Sequence, residues 1–90
     1  MEIKLLPQAK KDLEYWKKSG NTAIMKRISA LLKDIAEHPF TGIGKPEALR
    51  FELQGLWSRR INDRHRIIYS VSDGCITVFI LSMRYHYSEK

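Results

Sequence analysis

Cysteine is nearly absent from the chain: Cys75 stands alone, which excludes an internal disulfide and a cluster of thiolate metal ligands. Long apolar runs are missing too, and nothing approaches the roughly 20 consecutive apolar residues of a membrane span, so no membrane segment is expected. There is no phosphate-cradling GxxxxGKS and no His-Glu-x-x-His, and Gly42-Ile43-Gly44 lacks the third glycine and following helix of a dinucleotide fingerprint. No nucleotide cofactor and no metal site are therefore predicted. The start Met-Glu-Ile-Lys-Leu-Leu has none of the regions of a secretory leader, and with the lone cysteine it predicts a reducing, cytoplasmic setting. Acidic residues are in deficit, 10 Asp and Glu against 16 Lys and Arg, and the resulting charge of +6 favours a polyanionic or acidic partner.

What is present fits one domain spanning residues 1–90, with 43% hydrophobic and 29% charged residues, too apolar for a disordered chain. Ile3 and Leu5 alternate with Glu2 and Lys4 as a short strand does, and Pro7 suits a helix start. Ala9, Leu13 and Trp16 predict a helix from Gln8 to Lys18, stopped at Ser19-Gly20-Asn21, where Asn21 can cap the next one. Ile24, Ile28, Leu31, Leu32 and Ile35 carry that second helix to Pro39. Two prolines and two glycines make residues 39–47 a constrained loop. The period then changes to two, and strands are expected around Leu49-Phe51-Leu53, over Leu56–Ile61, over Arg66–Val71 and over Cys75–Tyr87, with turns at Asn62-Asp63 and Ser72-Asp73-Gly74. The order β-α-α-β-β-β-β predicts an α+β fold, two helices covering one face of a mostly antiparallel sheet.

The uncovered face is where chemistry is expected. Six of the seven arginines, Arg50, Arg59, Arg60, Arg64, Arg66 and Arg84, lie in the second half. Guanidinium is the bidentate phosphate ligand, and Trp57, Tyr69, Tyr85 and Tyr87 interleave with these arginines as stacking surfaces for unpaired bases would. Cutting RNA without a metal takes a base for the 2′-hydroxyl proton, a cation at the phosphoryl oxygens and an acid for the departing 5′-oxygen. Glu47, an arginine and one of His38, His65 or His86 can fill these positions. Trp57 and His65 read as packing residues, and a strand that carries Arg66 on the open face turns His65 away from it.

Four motifs in order carry a family resemblance: Phe40-Thr41-Gly42-Ile43-Gly44-Lys45-Pro46-Glu47-Ala48-Leu49, Leu53-Gln54-Gly55-Leu56-Trp57-Ser58-Arg59-Arg60-Ile61, His65-Arg66-Ile67-Ile68-Tyr69 and Arg84-Tyr85-His86-Tyr87. The chain closely resembles the YoeB/Txe toxins of the RelE superfamily over essentially its whole length. The resemblance implies a RelE-like fold and the toxin of a type II toxin–antitoxin pair, a ribosome-dependent endoribonuclease that cuts mRNA in the A site. It also implies a YefM-like antitoxin as partner, and leaves monomer and homodimer equally open. By the same resemblance Glu47 is the general base, Arg66 stabilises the scissile phosphate, His86 is the general acid and Tyr87 orients the substrate. Lys45, Arg50, Arg59 and Arg60 look like contacts to phosphate or ribosomal RNA. The chain departs from the family pattern in continuing past the His-Tyr pair with Ser88-Glu89-Lys90. Two other readings are a ParE-like toxin that binds DNA gyrase without cutting nucleic acid, and an RNA-binding module without catalysis.

Overall fold

A computed structural model describes residues 2–72 and 77–84. The expected roles of His86 and Tyr87, and of Cys75, Tyr85 and the extension 88–90, lie outside the described residues. The chain runs β1 (Glu2–Leu5), α1 (Pro7–Ser19), α2 (Thr22–Glu37), β2 (Glu47–Ala48), a 3-10 turn (Phe51–Leu53), β3 (Trp57–Arg60), β4 (Arg66–Val71) and β5 (Thr77–Ser82). This is the expected α+β order. Among the described residues no helix is long and apolar enough to cross a membrane.

Local chemistry sets the helix ends. Pro7 opens α1, where its missing N–H costs nothing, and Gly20 closes it in the left-handed region at φ 72. Asn21 caps α2, its side-chain oxygen accepting from the Ile24 N–H at 3.1 Å. At the other end Pro39 disfavours helical backbone at His38, which takes φ −141.

The five strands lie in the order β1-β5-β4-β3-β2. The pairs β2–β3, β3–β4 and β4–β5 are antiparallel and β1–β5 is parallel, so the first strand lies beside the last. The hairpin between β3 and β4 turns on Asn62, whose side-chain oxygen accepts from the Arg64 and His65 N–H groups at 2.9 and 2.8 Å. The strand expected over Leu49, Phe51 and Leu53 is not formed. Leu49 is buried, but Phe51 is 70% exposed and sits at φ 58, so the alternation had no second apolar face to fill and the chain coils into a 3-10 turn.

Both helices cover one face of the sheet. Ile24, Ile28, Leu31 and Ile35 of α2 meet Ile67, Tyr69, Val78 and Ile80 of the sheet, with Ala9 and Trp16 of α1 completing the cluster. Burial of each such aliphatic side chain contributes about 1.5–3 kcal/mol. A bulge between Ile68 and Tyr69 shifts the β4–β5 register from Tyr69↔Ile80 to Ile68↔Ser82. The extra residue resets the facing of β5, so that Met83, not Ser82, joins Val78 and Ile80 in the helix-side core.

Candidate active site

Sheet parity decides which cations can reach solvent. Register pairs Trp57 with Tyr69, Ser58 with Ile68, Arg59 with Ile67, Arg60 with Arg66 and, on the far side, Glu47 with Ser58. Trp57, Arg59, Ile67 and Tyr69 therefore share the helix-facing side, and Glu47, Ser58, Arg60 and Arg66 share the other. Lys45, Pro46, Glu47, Arg60 and Arg66 line one pocket of about 360 Å³ on that open side. Three cations and one carboxylate converge there.

Within the pocket one Arg66 nitrogen, Nη1, donates to Glu47 Oε1 at 3.1 Å and to Ser58 Oγ at 3.3 Å. The Glu47 side chain is 57% exposed and that of Arg66 26%, so both can be approached from solvent. The ion pair orients two groups more than it stabilises the fold, because exposed pairs contribute little. Lys45 holds a left-handed backbone at φ 52, unfavourable for a residue with a Cβ and sustained only where neighbours over-determine it.

The neighbours that do so are organised by Arg59, which was expected to contact RNA and instead has no exposed surface. Its Nε donates to Tyr69 Oη at 3.0 Å, and its Nη1 to Asp34 Oδ2 at 2.6 Å and to the Ile43 carbonyl at 2.8 Å. Its Nη2 donates to the Thr41 carbonyl at 2.8 Å and to the His38 carbonyl. The guanidinium thus serves carbonyls at the end of α2 and along the loop after it, groups no helix ladder can pair. The adjacent residue adds a backbone bond, Arg60 N–H to the Gly44 carbonyl at 2.6 Å. Together these hold the segment that delivers Lys45, Pro46 and Glu47 to the pocket. Gly42 and Gly44 are required by this closeness: a Cβ at Gly42 would lie 2.0 Å from Asp34 Oδ2, and one at Gly44 2.6 Å from a Leu31 methyl.

The electrostatics follow the same contacts. The Arg59 hydrogen bond holds the Asp34 carboxyl below its ordinary value; partial burial opposes this, and the Ile43 N–H, 3.1 Å away, reinforces it. Burial pushes the Tyr69 phenol up, with the Arg59 hydrogen bond acting in the opposite sense. Tyr69 donates to the Pro39 carbonyl at 2.7 Å and is fully buried, so it belongs to the loop clamp and cannot stack on bases.

The remaining expected positions separate. Arg60 faces the pocket, and Arg50 is exposed beside the 3-10 turn, outside the pocket lining. Trp57 packs against Phe40, ring centroids 4.9 Å apart, and His65 meets Trp16 edge-on at 4.8 Å, so both are packing residues as expected. Two acids make structural contacts that composition and charge do not announce, Asp34 and Asp12. Asp34 sits in the last turn of α2, where an anion opposes the helix dipole unless it is paired. Asp12 lies three residues after Ala9 and four before Trp16, on the buried stripe of α1, and is only 3% exposed. An acid on an apolar stripe was the available signal.

Comparison with known proteins places the chain in a family. Residues 6–87 match the family model of YoeB-like toxins of bacterial type II toxin–antitoxin systems. A toxin YoeB of Streptomyces coelicolor is 42% identical over 87 residues, covering 97% of this chain and 100% of the relative. One from Synechocystis sp. is 47% identical over 72 residues, 80% of this chain and 81% of the relative. Among solved structures, a YoeB/ParE toxin from Agrobacterium tumefaciens superposes with a TM-score of 0.90 at 32% identity, covering 97% of this chain and 100% of the other. A heterotetrameric YoeB–YefM toxin–antitoxin complex and a YoeB dimer, both from Staphylococcus aureus, each superpose with a TM-score of 0.83 at 41% identity, over 97% of this chain and 98% of theirs.

Proposed function

The chain belongs to the YoeB-like toxins of bacterial type II toxin–antitoxin systems, and from that premise we propose that it is a ribosome-dependent endoribonuclease cutting mRNA in the A site. What supports the reading most directly is the contact of Arg66 with Glu47, 3.1 Å apart in a pocket that also holds Lys45 and Arg60. It sets a carboxylate beside a guanidinium, the pairing of base and phosphate ligand that the reaction calls for.

In this mechanism Glu47 takes the proton of the 2′-hydroxyl as that oxygen attacks phosphorus. Arg66 stabilises the charge that develops on the non-bridging oxygens. The bond from phosphorus to the 5′-oxygen breaks, His86 supplies the proton to that oxygen, and the products are a 2′,3′-cyclic phosphate and a free 5′-hydroxyl. Tyr87 orients the substrate. Lys45 and Arg60, both lining the pocket, hold flanking phosphates, and Arg50 reaches RNA beyond it. No metal takes part in the scheme. A YefM-like antitoxin covers the basic face, as charge complementarity favours and as the Staphylococcus aureus complex suggests by analogy. The dimer from the same source makes self-association of this chain a reasonable expectation.

Primer extension on a defined mRNA, with and without programmed ribosomes and with His86→Gln in parallel, tests the proposal. Cleavage at the A-site codon only with ribosomes, lost in the variant, is the expected result. Folded protein that cleaves under no condition would transfer the reading to a gyrase-directed or binding-only toxin.

A further inference from the structure

Arg66, Ser58 and Glu47 lie on three neighbouring strands, β4, β3 and β2, and on one face of the sheet. With strands about 4.8 Å apart, the Arg66 side chain has to cross the full width of β3 to reach Glu47. The residue it crosses is Ser58, directly opposite Glu47 in the register and only 1% exposed. A serine is small enough to let the longer side chain pass over it. Its hydroxyl oxygen also accepts from Arg66 Nη1, at 3.3 Å.

The contacts around this guanidinium are uneven. Nη1 carries two of its five N–H groups and has two acceptors, Glu47 Oε1 and Ser58 Oγ. Among the described residues Nε and Nη2 have no acceptor, and Glu47 Oε2 has no donor. An arginine facing a carboxylate frequently closes on it with two parallel N–H···O bonds. Here the second bond is not made. An exposed ion pair is held weakly, so a single neighbouring acceptor suffices to choose between the two geometries.

We propose that Ser58 is a positioning residue for the cleavage reaction. By accepting from Nη1 it keeps Arg66 in a single contact with Glu47, which leaves Oε2 open to the 2′-hydroxyl and the Nε and Nη2 donors open to the phosphoryl oxygens. The inference deepens the nuclease reading and rests on Glu47 and Arg66 being its base and phosphate ligand. Without the hydroxyl the guanidinium turns onto both carboxylate oxygens, and the two groups occupy each other instead of the substrate.

Two measurements on Ser58→Ala, verified as folded by circular dichroism and melting, test this. A crystal structure of the variant should show a second Arg66–Glu47 hydrogen bond, donated by Nη2 or Nε to Oε2. Single-turnover cleavage on saturating programmed ribosomes should fall by about 10- to 100-fold, as misplaced reacting groups do, with ribosome affinity unchanged. Ser58→Cys keeps nearly the same volume with a weak acceptor, and should lose activity as Ser58→Ala does. In an Arg66→Lys background, where no two-bond fork can form, Ser58→Ala should cost less than about threefold. Wild-type cleavage by Ser58→Cys would make the residue a spacer, and equal losses in the two backgrounds would make it structural; either result overturns the inference. An unchanged single contact in the Ser58→Ala crystal overturns it too, with the nuclease reading intact. Wild-type protein that cuts nothing on ribosomes removes that reading, and the inference with it.

Discussion

Replacing Arg59 with methionine, which keeps much of its length and loses every donor, should destabilise the domain more than any change at the exposed arginines. The guanidinium is the shared partner of the Asp34 carboxylate, the carbonyls of His38, Thr41 and Ile43, and the Tyr69 hydroxyl. Breaking a buried ion pair from one side costs about 3–5 kcal/mol. The Asp34 side chain is 20% exposed, so water can reach it once its partner is gone, and the lower end applies, about 3 kcal/mol. At about 4–8 °C per kcal/mol for a domain of this size, the midpoint should fall by about 12–24 °C. Thermal and urea unfolding followed by far-ultraviolet circular dichroism, on Arg59→Met, Asp34→Asn and the double variant, measures it. Because the two side chains share one contact, the double variant should lose at least about 1 kcal/mol less than the sum of the singles. A loss below about 1 kcal/mol in Arg59→Met, or strict additivity, would refute the clamp. Arg59→Lys keeps the charge but not the five-donor fork, and should fall between.

Glu47→Gln should leave the unfolding free energy within about 0.5 kcal/mol of wild type while reducing cleavage by about 10²–10⁴-fold in the ribosome assay. Arg60→Ala should weaken binding to programmed ribosomes uniformly across codons and reduce the slope of log affinity against log salt by about 1, with the fold intact. Stability in acid should depend on Asp34: its folded-state pKa lies below the unfolded value of about 3.9, so the Arg59 pairing contributes fully above that pH and is lost as pH falls through the lower, folded value. In a pH series of urea melts the deficit of Asp34→Asn relative to wild type should therefore be constant near neutrality and shrink in strong acid.

The helices were legible because their signals are local: Pro7, Gly20 and the Asn21 cap each act within one turn. Strand β4 was legible for the same reason, its limits Arg66 and Val71 set by turn residues at one end and a polar run at the other. The pairing of β1 with β5 was not, since alternation in Ile3 and Leu5 says that a strand exists and nothing about its neighbour. Charge type misled at Arg59. Parity allowed only one of Arg59 and Arg60 to face the open side, and composition gives no reason to choose between them; the choice was made by Asp34, 25 residues earlier, through a contact only the fold creates. Tyr69 misled similarly, an aromatic among arginines whose hydroxyl turned out to face carbonyls. The Glu47 and Arg66 meeting was legible through family resemblance, and the pairing register supplied what spacing could not.

The parallel pairing of the first strand with the last has a kinetic consequence. Glu2 lies beside Thr77 and Ile3 beside Val78, so β1 finds its partner only after almost the whole chain has been made. Other fastenings of the fold are also remote in sequence, with Asp12 reaching Met83 across 71 residues and Arg59 reaching Asp34 across 25. Early in synthesis the chain can form little beyond the α1–α2 hairpin, whose contacts are local and quick, while closure of the sheet carries the entropy of long loops and comes last. The helical pair emerges as a scaffold, and the pocket of Lys45, Glu47, Arg60 and Arg66 gains its shape only when the sheet closes, in the last and slowest step of folding.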